Sequence, residues 1–149
     1  MTRQRPRVLF LCTGNACRSQ MAEGFARAHL GDAFEVHSAG TSPHGVDPRA
    51  ATVMAERGID LSAHRSKHVD DLHGLDFDWV VTVCDRAAEA CPVFPGAARR
   101  LHRSFEDPPR LAREAATEAE ALAPYRRVRD EIEAFVRTLP ETLAQEHTA

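Results

Sequence analysis

A single-domain α/β three-layer sandwich is the fold that this chain predicts: a four-stranded parallel sheet, helices on both faces, and a phosphate-type binding loop after the first strand. Three observations point there. The apolar runs Val8–Leu11 and Trp79–Val83 read as strands buried on both faces. The hydrophobic period switches to that of helices over 18–30 and again over 125–139. Turn residues separate these segments, so strands alternate with helices as they do in βαβ units.

The 149 residues suffice for one domain with a real core, taken as 1–149 with its body at 7–139. Apolar residues make up 43% and charged ones 28%, which is ordinary for a globular chain. A net charge of −3, with arginines interleaved among acids, gives no electrostatic case for nucleic acid or an anionic membrane. The longest apolar run falls far short of the ~20 residues of a membrane span, and Val8–Leu11 is too short for a signal-peptide core. The expectation is a cytoplasmic monomer. Its four cysteines then suit catalysis, redox or metal chemistry better than a disulfide framework.

In chain order, the first strand ends at Cys12 and a helix runs from Arg18 to about Leu30, stopping at Gly31. Phe34–Ser38 alternates as a second strand and breaks at Ala39-Gly40. Asp47-Pro48 starts a helix, Asp as N-cap and Pro at the first position, that ends at Gly58. Ser62–Asp71 is polar without a clear period. Asp78–Cys84 is the next buried strand, rich in β-branched residues, and Arg100–Phe105 a weaker fourth. Residues 110–123, nearly all Ala, Glu and Arg, read as an exposed helix or a mobile surface insertion without assigned chemistry. The last helix spans Tyr125–Leu139, and the chain from Glu141 onward is expected to fray.

The chemistry concentrates at Cys12-Thr13-Gly14-Asn15-Ala16-Cys17-Arg18-Ser19. A buried strand, a tight loop of small residues and a helix N-terminus together aim backbone N–H groups and a positive dipole end at one point, a nest for a tetrahedral oxyanion. Arg18 adds a planar, permanently charged fork for two of its oxygens. The same field favours negative sulfur, so Cys12 is expected to be a thiolate near neutral pH. Asn15 tolerates the left-handed backbone that such a loop demands. In open α/β sheets ligands sit beyond the carboxyl ends of the strands, and Cys12 and Cys84 both lie at such ends.

Cys84 is followed by six residues and then Cys91-Pro92. A buried strand-end thiol would explain Cys84 alone. Zinc is a second reading, but C-x4-C and C-x6-C lack the close C-x2-C knuckles of structural sites. Asp107-Pro108 offers either a general acid or a helix N-cap, and the residues by themselves leave both open. The eight histidines show no ligand spacing, so no metal site is assigned.

The segment Cys12 to Gly24, Cys-Thr-Gly-Asn-Ala-Cys-Arg-Ser-Gln-Met-Ala-Glu-Gly, resembles the low-molecular-weight protein tyrosine phosphatases, and within them the thioredoxin-coupled arsenate reductases. The resemblance covers residues 7 to about 139 apart from 110–123. It implies oxyanion binding by Thr13, Gly14, Asn15, Ala16, Cys17, Arg18 and Ser19, with Cys12 as nucleophile. It implies a relay in which Cys84 and then Cys91 take over the disulfide, thioredoxin restores the thiols, and the 85–90 loop moves. It makes Asp107 the acid, has Asn15 brace the loop and Ser19 hydrogen-bond the thiolate, and leaves Cys17 as a packing residue. Some such reductases bind potassium through residues matching Asn15, Glu23 and Ser38 plus an acid. Here Lys67 stands in the acid's place, so no potassium requirement and no other cofactor is expected. Phosphate or sulfate would serve as analogues of arsenate. Two alternatives remain: a phosphatase acting on phosphotyrosine, which Pro109 in place of an aromatic residue disfavours, and a non-catalytic oxyanion-sensing module.

Overall fold

The computed structural model describes residues 5–72, 74–84 and 99–148, with side chains through 144. Four strands form the parallel sheet: β1 (Arg7–Cys12), β2 (Glu35–Gly40), β3 (Trp79–Thr82) and β4 (Arg99–His102), in the order β2-β1-β3-β4. β1 is central because it is apolar on both faces; Leu9, Phe10 and Leu11 are completely buried. The chain leaves β1 for β2 on one side and returns to β3 on the other, so the strand order reverses beside β1. Crevices for ligands open at such reversals. The register Leu11↔Thr82 then brings the C-terminal ends of β1 and β3 together, and Val83 N–H donates to Leu11 O at 2.9 Å. Cys12 and Cys84 become neighbours through that pairing.

Among the described residues four helices accompany the sheet: α1 (Arg18–Leu30), α2 (Pro48–Ala55), the single turn α3 (Pro108–Leu111) and α4 (Glu118–Thr148). A 3₁₀ turn at Val69–Leu72 occupies part of the stretch that shows no period in the sequence. Asp47 caps α2 as expected, its carboxylate accepting from Arg49 N–H at 2.9 Å with Pro48 in the first turn. Ala121, Tyr125, Val128, Ile132, Val136, Leu139 and Leu143 form one buried stripe along α4, at steps of three and four residues. That stripe packs on α1 and α2. Ile132→Ala should cost about 2–5 kcal/mol of unfolding free energy, since Ile132 sits mid-stripe without solvent contact. A fall in the urea midpoint at unchanged slope is the expected record.

α4 departs from the sequence expectation at both ends. It begins at Glu118 and continues to Thr148, taking in Pro124 and Pro140. The expected insertion at 110–123 is therefore α3, a short turn and the first turn and a half of α4, and the chain beyond Glu141 is helical rather than frayed. A proline costs one i→i−4 hydrogen bond. Buried Ala121 before Pro124 and buried Leu143 after Pro140 hold the helix against the core across both. The strand bounds shift too: β2 continues through Ala39 to Gly40, while β3 stops at Thr82 and β4 at His102. Among the described residues no helix is long and apolar enough to cross a membrane.

Candidate active site

The loop from Thr13 to Cys17 joins β1 to α1, and its carbonyls are all tied to groups outside it. Thr13 O accepts from Ser42 N–H at 2.8 Å, Gly14 O from His44 N–H at 2.9 Å and from the Ser66 hydroxyl at 3.0 Å. Asn15 O accepts from Gln20 Nε2 at 3.1 Å, Ala16 O from Asp47 N–H at 2.9 Å and Cys17 O from Met21 N–H at 2.9 Å. Within each planar peptide the N–H points opposite to the C=O. Carbonyls held outward therefore turn the following N–H groups toward the concave side, the arrangement an oxyanion needs. Asn15 takes the left-handed backbone, φ +45°, that bends the loop. Gly40 at the end of β2 allows the loop to fold back, since a Cβ there would lie 2.5 Å from Thr13 O and 2.8 Å from Asn15 N.

The Asn15 side chain braces this curve from beneath. Fully buried, its Nδ2 donates to Ser19 Oγ at 2.9 Å and Ser38 Oγ at 3.0 Å, while Oδ1 accepts from Lys67 N–H at 2.8 Å and Gln20 Nε2 at 3.1 Å. Ser38 passes the chain on to the Glu23 carboxylate. Around buried Glu23 stand Arg27 at 2.8 Å, His64 at 3.7 Å and Lys67 Nζ at 3.7 Å. Burial pulls the pKa values of His64 and Lys67 down, with Glu23 opposing in both.

Arg18 opens α1 and faces the cavity. Its Nη1 donates to Phe105 O at 2.9 Å and its Nη2 lies 3.6 Å from Asp107 Oδ1, while Nε is buried with no hydrogen-bond partner. Buried donors rarely go unpaired, so this one fits a ligand acceptor. Asp107 precedes α3 at the N-cap position, but its carboxylate makes no capping hydrogen bond. It is turned toward Arg18 instead, at the rim of a cavity of about 710 Å³ whose wall includes Thr13, Cys84 and Phe105. Of the two open readings of Asp107, the local cap is the one without a bond to support it.

Cys12, Cys17 and Cys84 are buried thiols. Cys84 Sγ receives the Thr13 N–H at 3.3 Å and lies 3.5 Å from the Thr13 hydroxyl. It is also a neighbour of Cys12, and that neighbour works against the expected Cys12 thiolate. The Cys12 pKa is pushed up, first by its hydrogen bond with Cys84 and then by burial; Arg18 and the Ser19 N–H pull the other way. Negative charge on one of two adjacent sulfurs disfavours it on the other. Cys17 packs behind the loop, its pKa raised by burial and by Asp47. Cys91 and the expected moving loop at 85–90 lie outside the described residues.

Sequence reasoning overlooked three participants. Thr13 holds Cys84 as well as shaping the loop; no local signal marks a contact across 71 positions. His44 lies against the loop so closely that a Cβ on Gly14 would meet its ring at 2.8 Å. Asp47, recognised as a cap, also ties Ala16 and accepts the buried Tyr125 hydroxyl at 2.6 Å, which joins α4 to the loop.

Fold and loop together define the class: an α/β protein with a cysteine beneath an oxyanion-binding cradle at the end of its central strand. The chain belongs to the family of low molecular weight phosphotyrosine protein phosphatases, whose model matches residues 7–149 and so includes the 110–123 segment and the C-terminal helix. It is 47% identical over 135 residues to an arsenate reductase of Halalkalibacterium halodurans, covering 91% of this chain and 95% of the relative. A thioredoxin-dependent arsenate reductase of Corynebacterium glutamicum superposes with a TM-score of 0.70 at 26% identity, over 98% of this chain and 65% of that one. The YwlE arginine phosphatase from Geobacillus stearothermophilus superposes with a TM-score of 0.71 at 26% identity, over 96% of each chain.

Proposed function

We propose that this protein reduces arsenate to arsenite by a relay of Cys12, Cys84 and Cys91. The observation that carries the reading is the Cys84 sulfur, held by the Thr13 N–H against Cys12 at the mouth of the cradle. Hydrolysis of a phosphate ester has no use for a second sulfur there. Arsenate enters the ring of N–H groups, with Arg18 binding its oxygens through the unpaired Nε. Cys12 attacks arsenic as a thiolate, Asp107 supplies the proton with which water leaves, and an S–As bond forms. Cys84 then attacks the Cys12 sulfur. The S–As bond pair passes to arsenic, which goes from As(V) to As(III) and leaves as arsenite, and a Cys12–Cys84 disulfide remains. Cys91 attacks Cys84 and frees Cys12, and a dithiol protein of the thioredoxin type reduces the Cys84–Cys91 disulfide.

No cofactor enters this scheme. Lys67 Nζ, 3.7 Å from Glu23 and hydrogen-bonded at 2.9 Å to Arg65 O, supplies the positive charge that a bound potassium ion would otherwise bring to Glu23. The protein works as a cytoplasmic monomer. Phosphotyrosine is the poorer substrate, because Phe105 is the single Phe, Tyr or Trp among the described residues lining the cavity and is itself buried.

The test is arsenate-dependent NADPH oxidation with thioredoxin and thioredoxin reductase, comparing wild type with Cys84→Ser and Cys91→Ser. Turnover that falls to background in both variants, and is equal in potassium and sodium chloride, is expected. No turnover in any of them, with para-nitrophenyl phosphate cleaved alike by all three, would replace the reductase with a phosphatase. Stimulation by potassium would remove the role given to Lys67.

A further inference from the structure

The 110–123 segment carries no chemistry in the sequence, yet it places Arg110 and Arg113 on the wall of the cavity that Arg18 and Cys84 face. Neither guanidinium has an ion-pair partner among the described residues, although carboxylates are close by. Glu106 is drawn to Arg127 at 3.2 Å, Asp107 lies 3.6 Å from Arg18, and Glu118 pairs with Arg49 at 3.1 Å. The two acids of the cavity wall, Glu106 and Asp107, are thus each drawn to another arginine, and among the described residues Arg110 and Arg113 have no ion-pair partner. His44 and Ser104 complete a polar rim. The volume, about 710 Å³, falls in the range of sites for drug-sized ligands and exceeds what a lone tetrahedral anion fills.

We propose that Arg110 and Arg113 form an outer anion-capture site, which collects a dianionic tetrahedral oxyanion at the cavity mouth and delivers it to the Cys12 loop. The wall carries Arg18, Arg110 and Arg113 against Glu106 and Asp107, an excess of positive charge. A cleft with such an excess, walled by protein, focuses field lines and raises the local concentration of a counter-ion about 10-fold or more. The two arginines bear no part in the bond-making steps, so they act on capture and leave the chemistry to the inner loop. The proposal rests on the oxyanion-reducing reading only for the identity of the substrate.

The experiment uses the full chain with Arg110→Gln/Arg113→Gln, the charge-reversed Arg110→Glu/Arg113→Glu, and Arg110→Lys/Arg113→Lys. Calorimetric binding of inorganic phosphate and kcat/KM for arsenate are measured at about 10 mM and about 0.5 M salt, where the screening length differs several-fold. At low salt the glutamine pair should bind phosphate about tenfold more weakly and lose a similar factor in kcat/KM through KM, with kcat unchanged. Charge reversal should lose more, the lysine pair should stay near wild type, and all should converge at high salt. A loss below about twofold at low salt, a loss independent of salt, or one that falls on kcat overturns the capture site. Phosphate binding requires no reduction, so wild type that binds phosphate without oxidising NADPH refutes the reductase reading while the rim is still judged. Both arginines are exposed, and matching thermal transitions establish that the variants fold.

Discussion

Cys84→Ala abolishes arsenate-dependent turnover and at the same time makes Cys12 more reactive toward iodoacetamide at neutral pH. The two effects have one cause. Cys84 is the sulfur that would resolve the Cys12 adduct, and it is also the largest influence holding the Cys12 pKa up. With it gone, Arg18 and the Ser19 N–H act on Cys12 against burial alone, so the pKa falls. The sign is fixed: a lower pKa means more thiolate at a given pH below it, by about tenfold per unit while the thiol is mostly protonated. Peptide-resolved alkylation across a pH series should therefore show the Cys12 midpoint moving to lower pH in the variant. A midpoint that stays in place would separate the two sulfurs and remove the coupling on which the relay depends.

Arg18→Lys lowers kcat/KM for arsenate by about 10²–10³, the loss seen when one preorganised donor to a developing anion is removed. The ammonium keeps the charge but not the planar fork, and the unpaired Nε has no counterpart in lysine. The three N–H donors of a lysine ammonium sit on a single atom, which cannot stand both against Phe105 O and where the Arg18 Nε faces the cradle. The ties of the loop carbonyls do not involve Arg18, so the thermal transition should move by only a few degrees, which is what a change of about 1 kcal/mol does. Steady-state kinetics beside a melting curve separates the cases. An activity within about tenfold of wild type would assign oxyanion binding to the backbone alone.

Much of this architecture is legible in the chain itself, for identifiable reasons. β1 announces itself because a strand buried on both faces has no polar alternation, and Asp47-Pro48 because the cap and the proline act locally. Asn15 follows from its tolerance of positive φ. Elsewhere the deciding forces are not local. The ends of α4 are set by buried Ala121 and Leu143 in spite of two prolines, and a reading weighted toward helix breakers stops short of both. The state of Cys12 depends on a sulfur 72 positions away, delivered by the register of β1 with β3. The Thr13–Cys84 hydrogen bond has the same origin. Of the carbonyl ties of the loop, those from Ser42, His44 and Ser66 come from residues that carry no motif and are recruited because β2 and the segments after it run alongside, and the tie from Asp47 is invisible in its capping motif.

Those ties have a consequence for how the family can diversify. Because the cradle is held open from behind, it keeps its shape whatever stands at the end of the neighbouring strand. In the proposed relay an arsenic(V) adduct on Cys12 meets a kinetic branch point: water arriving from the cavity returns it to arsenate, whereas the β3 sulfur attacks the Cys12 sulfur, forms a disulfide and leaves the S–As bond pair on arsenic, now As(III). Which products emerge is a race between two nucleophiles at one adduct, decided by the occupant of a single strand end rather than by a redesign of the pocket.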